Sequence, residues 1–223
     1  MPVKAAKSTI SQRRVLDAAA RIFRDLGYAG TTMRAVADAA GLQAGSLYYH
    51  FTSKDELIGA VLDSGTATVL ASVQNALAAL PDNVTPRQRI ETAIEAHITA
   101  IIACGDYTLA TRRVFGQVPA PIRARHMRMR DNYGAMWDQL FADAESAGAF
   151  RPDVDLKLGR LFVLGALNWT AEWYKPGARS ISVIAREFST LILDGLIARD
   201  DDQKSATQPK VRTRQVATRA MGA

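Results

Sequence analysis

"TTMRAVADAAGLQAGSLYYHFTSKDEL", residues 31–57, decides how the rest of the chain is read. Two short helical patterns lie on either side of a glycine. In the first, over 33–40, Val36, Ala37 and Ala40 are small or branched and share a face, so this helix can sit close against a neighbour. Thr31 and Thr32 offer an N-cap, and Gly41 supplies a turn residue that adopts positive φ without strain. The second pattern, 43–50, opens on Gln43-Ala44-Gly45-Ser46 and carries Leu47, which with Leu42 can anchor the pair inward across the turn. Two short helices joined tightly, the second exposed, make a helix-turn-helix, whose second helix enters the major groove of DNA. Gly45 and Ser46 keep the leading edge of that helix small enough for backbone to approach phosphate or base edges.

The aromatic run that follows divides by role. Phe51 is expected to turn inward and lock the unit. Tyr48 and Tyr49 can each pack a ring on the scaffold and donate a hydroxyl to a phosphate oxygen, although neighbours on a helix point about 100° apart and one of them can be partly core. His50 reads as a phosphate contact, with a structural histidine at a helix end as the alternative. Lys54, opening the next helix, adds charge beside that helix's N-terminal dipole, and Thr32 does likewise at the first short helix. Gln43 and Arg34 are the better readers of bases, glutamine pairing with adenine and arginine with guanine.

The chain around this unit has 223 residues, a net charge of +6 and 48% hydrophobic residues, enough for a sizeable core. The excess charge gathers at the start, where Lys4, Lys7, Arg13, Arg14, Arg21 and Arg24 face Asp17 alone, and a basic end points to a polyanionic partner. A lone cysteine, Cys104, excludes an internal disulfide framework and fits a reducing cytosol; with three scattered histidines it gives no metal-ligand spacing. No cofactor is expected. The basic N-terminus lacks an apolar h-region, and no apolar run approaches the length of a membrane span, so a cytoplasmic protein without a membrane partner is expected.

The periodicity predicts an all-α fold of about nine helices. Helix 10–26 stops at Gly27, and the two short helices follow it. Ser53-Lys54-Asp55-Glu56 forms a capping box that opens a long helix running to Pro81. Thr85-Pro86-Arg87-Gln88 repeats that logic for a helix ending near Gly105. Helices are expected over 106–117, 121–147, 155–174 and 180–198. The domains expected are a disordered basic arm (1–9), the helix-turn-helix domain (10–52), a ligand-binding and dimerisation domain (53–199) and a disordered basic tail (200–223).

The segment from AARIFRDLGYAG through TTMRAVADAAGLQAGSLYYHFTSKDELIGAVL resembles the DNA-binding domain of the TetR family of bacterial repressors. It carries the family pattern Thr-Thr, Val-Ala, Ala-Gly-Leu, Gly-x-Leu-Tyr-x-His-Phe and Lys-x-x-Leu in one register over about 50 residues. The resemblance implies a DNA face made by Thr32, Arg34, Gln43, Ala44, Gly45, Ser46, Tyr48, Tyr49, His50 and Lys54, and a larger helical domain for dimerisation and effector binding. It implies a repressor, homodimeric, released from a palindromic double-stranded operator by a small molecule. A second stretch, NWTAEWYKPG (168–177), is similar to the Trp-Tyr-Arg/Lys-Pro-Gly signature of TetR-type regulators of fatty-acid and sterol breakdown, many of which respond to acyl-CoA thioesters. It departs from that signature after Gly177, where Ala178-Arg179 stands in place of a second glycine.

The last two helices are apolar on more than one side, as a dimer interface requires. For the effector, Arg112 and Arg113 followed by Phe115, then Met129, Tyr133, Met136 and Trp137, with Trp169 and Trp173 near the end, read as a cationic mouth and a Met/aromatic interior. That set suits an amphipathic ligand such as an acyl-CoA; plain core packing is the alternative for each residue. Two other functions are weighed: a small acyl-transfer enzyme using the same cavity, and a ligand-independent architectural DNA-binding protein. The enzyme lacks a catalytic pair, because Cys104 and His97 lie two helical turns apart.

Overall fold

The computed structural model describes residues 2–150 and 155–194, with side chains from residue 11. Nine helices make up these residues, in the order α1 (Pro2–Gly30), α2 (Met33–Ala40), α3 (Ala44–His50), α4 (Lys54–Ala78), α5 (Pro86–Ala103), α6 (Gly105–Val114), α7 (Ala120–Ser146), α8 (Leu156–Trp173) and α9 (Ile181–Asp194). No strand occurs among them, in keeping with the all-α expectation. The expected tail over 200–223 lies outside the described residues, while the stretch expected as an arm is helical from Pro2.

Local chemistry accounts for the breaks. Gly27 sits at φ +71° inside α1 and divides off its last turn, whose Gly27 carbonyl accepts from the Thr31 hydroxyl at 2.7 Å. Thr32 caps α2 by accepting from the Ala35 N–H at 3.1 Å, and Gly41, at φ +65°, returns its own N–H to the end of that helix. The capping box of α5 is complete: Thr85 and Gln88 each accept the other's backbone N–H, with Pro86 in the first turn. The box expected for α4 is only half formed. Ser53 Oγ accepts from the Glu56 N–H at 3.1 Å, but the Glu56 carboxylate reaches one residue further back. There the backbone N–H and hydroxyl of Thr52 both donate to it at 2.7 Å. Two donors on Thr52 prevail over the single N–H of Ser53 and hold the Glu56 carboxyl below its ordinary range.

Packing divides the molecule into two cores. The first joins α1, α2 and α3 to the start of α4, through Phe23, Val36, Leu47, Phe51, Leu57, Ile58 and Val61, and takes in Tyr107, Ala110 and Val114 of α6. The second joins Val69 and Val73 of α4 to α5, α7, α8 and α9 around Ile94, Ile98, Trp137, Phe141 and Leu167. Helix α4 therefore runs through both. By length and composition it is the one described helix able to cross a membrane, contrary to the expected absence of such a run, but its apolar residues serve these two cores. Helix α6 belongs with the N-terminal unit. Arg24 of α1 pairs with Asp106, the Tyr107 hydroxyl donates to Asp17 at 2.7 Å, and the Tyr28 N–H donates to Gln117 at 3.2 Å.

Candidate nucleic-acid interface and effector site

Helix α3 is held by one fully buried side chain, Leu47, with Phe51 closing the unit just beyond its end. Everything else on its leading side faces solvent: Gln43, Ala44, Gly45, Ser46, Tyr48 and Tyr49, beside Thr32 and Arg34 of the preceding helix. Both tyrosines are outside, 52% and 82% exposed, so neither serves as core despite their angular separation. A helix this short needs only one inward residue per two turns, which Leu47 and Phe51 supply between them. Gln43 sits at the N-cap without using its side chain there, which leaves the amide free to reach outward. Arg14 of α1 donates to the Ala40 carbonyl at 2.8 Å and ties the turn to the scaffold.

His50 and Lys54 are different. Both are half-buried, and both are engaged within the chain. His50 Nε2 lies 3.0 Å from the Ser11 hydroxyl, while Tyr49 packs edge-on to its ring at 5.4 Å. The Lys54 ammonium donates to the Tyr28 carbonyl at 2.9 Å and lies 4.4 Å from the centre of the Tyr28 ring, whose hydroxyl donates to Asp55. These two residues position the unit as much as they face outward.

Gly45 is informative because nothing inside the protein requires it: a Cβ there would meet no atom within 4 Å. Glycine within a helix costs roughly 0.5–1 kcal/mol relative to alanine. Gly45→Ala is therefore expected to raise the thermal midpoint slightly while weakening binding to duplex DNA, because the added methyl faces the partner. Paired thermal melts and DNA titrations check this, and equal DNA affinity with a raised midpoint would remove any outside role for Gly45.

The nine residues expected at the effector site do not gather around one cavity. Tyr133 and Trp137 are buried in the second core, Met129 and Met136 are half-buried along α7, and Trp169 and Trp173 stand outward on α8. The Arg112 guanidinium lies 3.7 Å from the centre of the Trp169 ring and pairs with Glu172 at 3.0 Å. Arg113 turns instead toward Gly27 of α1, and Phe115 packs 5.7 Å from the His126 ring. The arginines beginning α7 are not a common mouth either: Arg125 pairs with Asp63 at 2.6 Å, and Arg130 lies 5.8 Å from the Phe115 ring. On the outer side of α8 and α9, Leu161, Phe162, Gly165, Ala166, Trp169, Trp173 and Phe188 line an open apolar hollow of about 520 Å³.

Two buried polar groupings had no part in the sequence expectation. His97 Nδ1 lies 2.6 Å from the Tyr133 hydroxyl within the second core, and burial pushes its pKa down to about 4, opposed by the Asn168 side chain. His97 Nε2 and Trp137 Nε1 have no hydrogen-bond partner. At the crossing of α4 and α7, His126 Nδ1 and Asp63 Oδ1 lie 4.0 Å apart and are likewise unpartnered. Burial, with Arg130 and Arg125 nearby, takes His126 down to about 4, and burial raises Asp63 against the pull of Arg125. A buried group without its hydrogen bond costs roughly 1–3 kcal/mol. The sequence signal for His97 was its place between Ile94, Ile98 and Ile101 on the apolar face of α5.

Comparison with known proteins settles the family. Residues 15–61 match the profile described as "Bacterial regulatory proteins, tetR family", and residues 83–196, half of the chain, match "Tetracyclin repressor-like, C-terminal domain". The chain belongs to the TetR family. Across the curated proteins it is 27% identical over 184 residues to the HTH-type transcriptional repressor KstR2 of Rhodococcus jostii (strain RHA1), covering 82% of this chain and 89% of that one. Among solved structures, the TetR family regulator PfmR of Thermus thermophilus superposes with a TM-score of 0.73 at 26% identity, covering 83% of this chain and all of that one. AibR, solved in complex with isovaleryl coenzyme A and operator DNA, shares the fold with a TM-score of 0.71 at 24% identity, covering 83% of this chain and 100% of its own. The TetR chain described here is a DNA-binding transcriptional regulator, and α1–α3 are its helix-turn-helix.

Proposed function

We propose that this TetR-family protein is a cytoplasmic, homodimeric repressor that leaves a palindromic operator when a small amphipathic effector binds its larger domain. The observation that carries the DNA-binding part is the outward face of α3, where Gln43, Ala44, Gly45, Ser46, Tyr48 and Tyr49 are all exposed above a single anchor, Leu47. Gln43 and Arg34 would read base edges, and Thr32, Tyr48 and Tyr49 would hold phosphates. His50 and Lys54 would join them at the rim while keeping α3 seated through Ser11 and Tyr28.

For the dimer, support comes from the exposed apolar side chains of α8 and α9: Leu158, Leu161, Phe162, Trp169, Trp173 and Leu191. A contiguous apolar face of this kind on a soluble domain marks an interaction site, and a second copy would bring two recognition helices to one face of DNA. The effector is placed against the same end of the body, where Arg112 on Trp169 offers a cation and a ring beside the apolar hollow containing Trp173. Phe115, Arg113, Met129, Met136, Tyr133 and Trp137 would respond to it from inside. An acyl-CoA thioester fits this combination of anionic head and apolar body. The similarity to the repressor KstR2 and the CoA-bound state of AibR support that class.

Catalysis is not part of the proposal. Burial raises the Cys104 thiol above its ordinary range, and Cys104 lies in the first core while His97 lies in the second. The test begins by selecting bound DNA from a random pool and titrating CoA thioesters of increasing chain length against the complex. Release by one range of chain lengths, weakened by Arg112→Ala, is expected. Release by none rejects the thioester class, and a single-chain mass in solution at micromolar concentration rejects the dimer.

A further inference from the structure

We infer that His97 and Trp137 form a subsite for a neutral carbonyl oxygen carried by an apolar ligand inside the second core. This rests on the reading that the larger domain takes up an effector, and it narrows the chemistry of what is taken up. His97 comes from α5 and Tyr133 and Trp137 from α7, and the three rings pack with centroids 5.7, 6.2 and 6.4 Å apart. Trp137 is wholly buried and His97 nearly so.

The hydrogen-bond pattern fixes which atoms donate. The Tyr133 hydroxyl meets His97 Nδ1 at 2.6 Å. If the phenol donates, Nδ1 is the acceptor and the imidazole proton resides on Nε2; the opposite assignment would leave both the phenol proton and Nε2 unsatisfied. His97 Nε2–H and Trp137 Nε1–H are then two buried donors on facing helices, both without an acceptor. An acceptor is what such a pair lacks, and an indole can only donate.

The surroundings say what kind of acceptor. Ile94, Ile98, Leu140, Phe141, Val163 and Leu167 make this core apolar. The nearby Thr170 hydroxyl is already spent on the Leu167 carbonyl at 2.7 Å. His97 stays neutral at neutral pH, since burial holds it at about 4. With no cation to balance it, a carboxylate or phosphate would enter uncompensated, whereas a ketone, ester or thioester carbonyl would not. The subsite thus separates an activated or keto ligand from the corresponding free acid. The influence of the Asn168 side chain on the imidazole brings this pair close to α8, the helix that also borders the outer hollow.

The experiment uses the full chain labelled with nitrogen-15, whose three tryptophans give three indole N–H signals. Trp169→Phe and Trp173→Phe assign the Trp137 signal by elimination. Titration with 2-octanone is expected to move the Trp137 indole proton downfield, and octanoate at neutral pH to bind at least about 10-fold more weakly. Trp137→Phe, which keeps a ring but loses the donor, is expected to weaken 2-octanone about 5- to 10-fold. Should that variant not fold, the shift in the unaltered chain still decides. Saturable ketone binding with the Trp137 signal unmoved, or octanoate binding as tightly as the ketone, overturns the subsite. Release of DNA by thioesters while the Trp137 indole stays silent sinks the subsite alone. A ketone-induced shift in a protein whose DNA complex ignores every thioester supports the subsite and sinks the thioester reading.

Discussion

Leu47→Ala is expected to abolish operator binding while leaving the larger domain folded. Leu47 is the one buried residue within α3, and truncating a fully buried leucine costs about 2–5 kcal/mol. For an ordinary core leucine that loss is shared among many neighbours on its own helix. Here the rest of α3 faces solvent, so the helix loses most of its hold on α1 and α2 at once. Affinity for duplex DNA should fall more than about 100-fold, because the outward residues of α3 would no longer be presented together. The second core, built from α5, α7, α8 and α9 with the end of α4, does not include Leu47. Guanidinium denaturation followed by circular dichroism should therefore separate into an early and a late transition. A single transition at the original midpoint, with DNA binding retained, would contradict this account of α3.

The second large effect is a loss of stability in acid. His97 and His126 both titrate at about 4 in the folded chain, against about 6.5 for an unfolded histidine. Between those values the unfolded chain binds more protons than the folded one, so stability falls as the pH drops from about 6.5 through about 4. Each pKa unit corresponds to about 1.4 kcal/mol, so the pair amounts to several kcal/mol at full effect. Asp63, facing His126, acts in the opposite sense. Its carboxyl is raised by burial, so protonating it recovers some stability in the carboxylate range. Arg125 and Arg130 add to the cost of a charged His126. Urea midpoints measured between about pH 7 and about pH 4.5 should decline, and His97→Gln or His126→Gln should flatten the decline. Midpoints constant over that range would show that these imidazoles are not held neutral by the fold.

The DNA-reading unit was legible in sequence because its information is local. A cap at Thr32, a positive-φ glycine at 41 and an anchor at Leu47 lie close together along the chain, and each specifies backbone geometry near itself. The effector residues were not legible in the same way. Trp137 and Trp169 look alike as aromatic residues on amphipathic helices, yet one is the centre of a core and the other stands half-exposed under Arg112. Helical periodicity tells which side of a helix is apolar but not which helix will cover it. The same limit applies to α6, whose Tyr107 and Val114 pack with α1 instead of with the helices that follow it. His50 and Lys54 were expected as phosphate contacts, and their partners Ser11 and Tyr28 lie 39 and 26 residues away, beyond any local pattern.

Helix α4 carries a further consequence. Leu57, Ile58, Val61 and Leu62 serve the first core and Val69 and Val73 the second, so one continuous rod sets the phase between two buried faces. Each residue of a helix turns the chain by about 100° and advances it by about 1.5 Å. A single insertion or deletion between 63 and 68 would swing one face away from its core, while leaving composition and helix propensity almost untouched. Only changes of about a whole turn or two, three to four or seven residues, would bring both faces back into alignment. The linker between reading head and body is thus discrete in length: relatives of this chain can vary α4 in its side chains freely, but in its length only by steps.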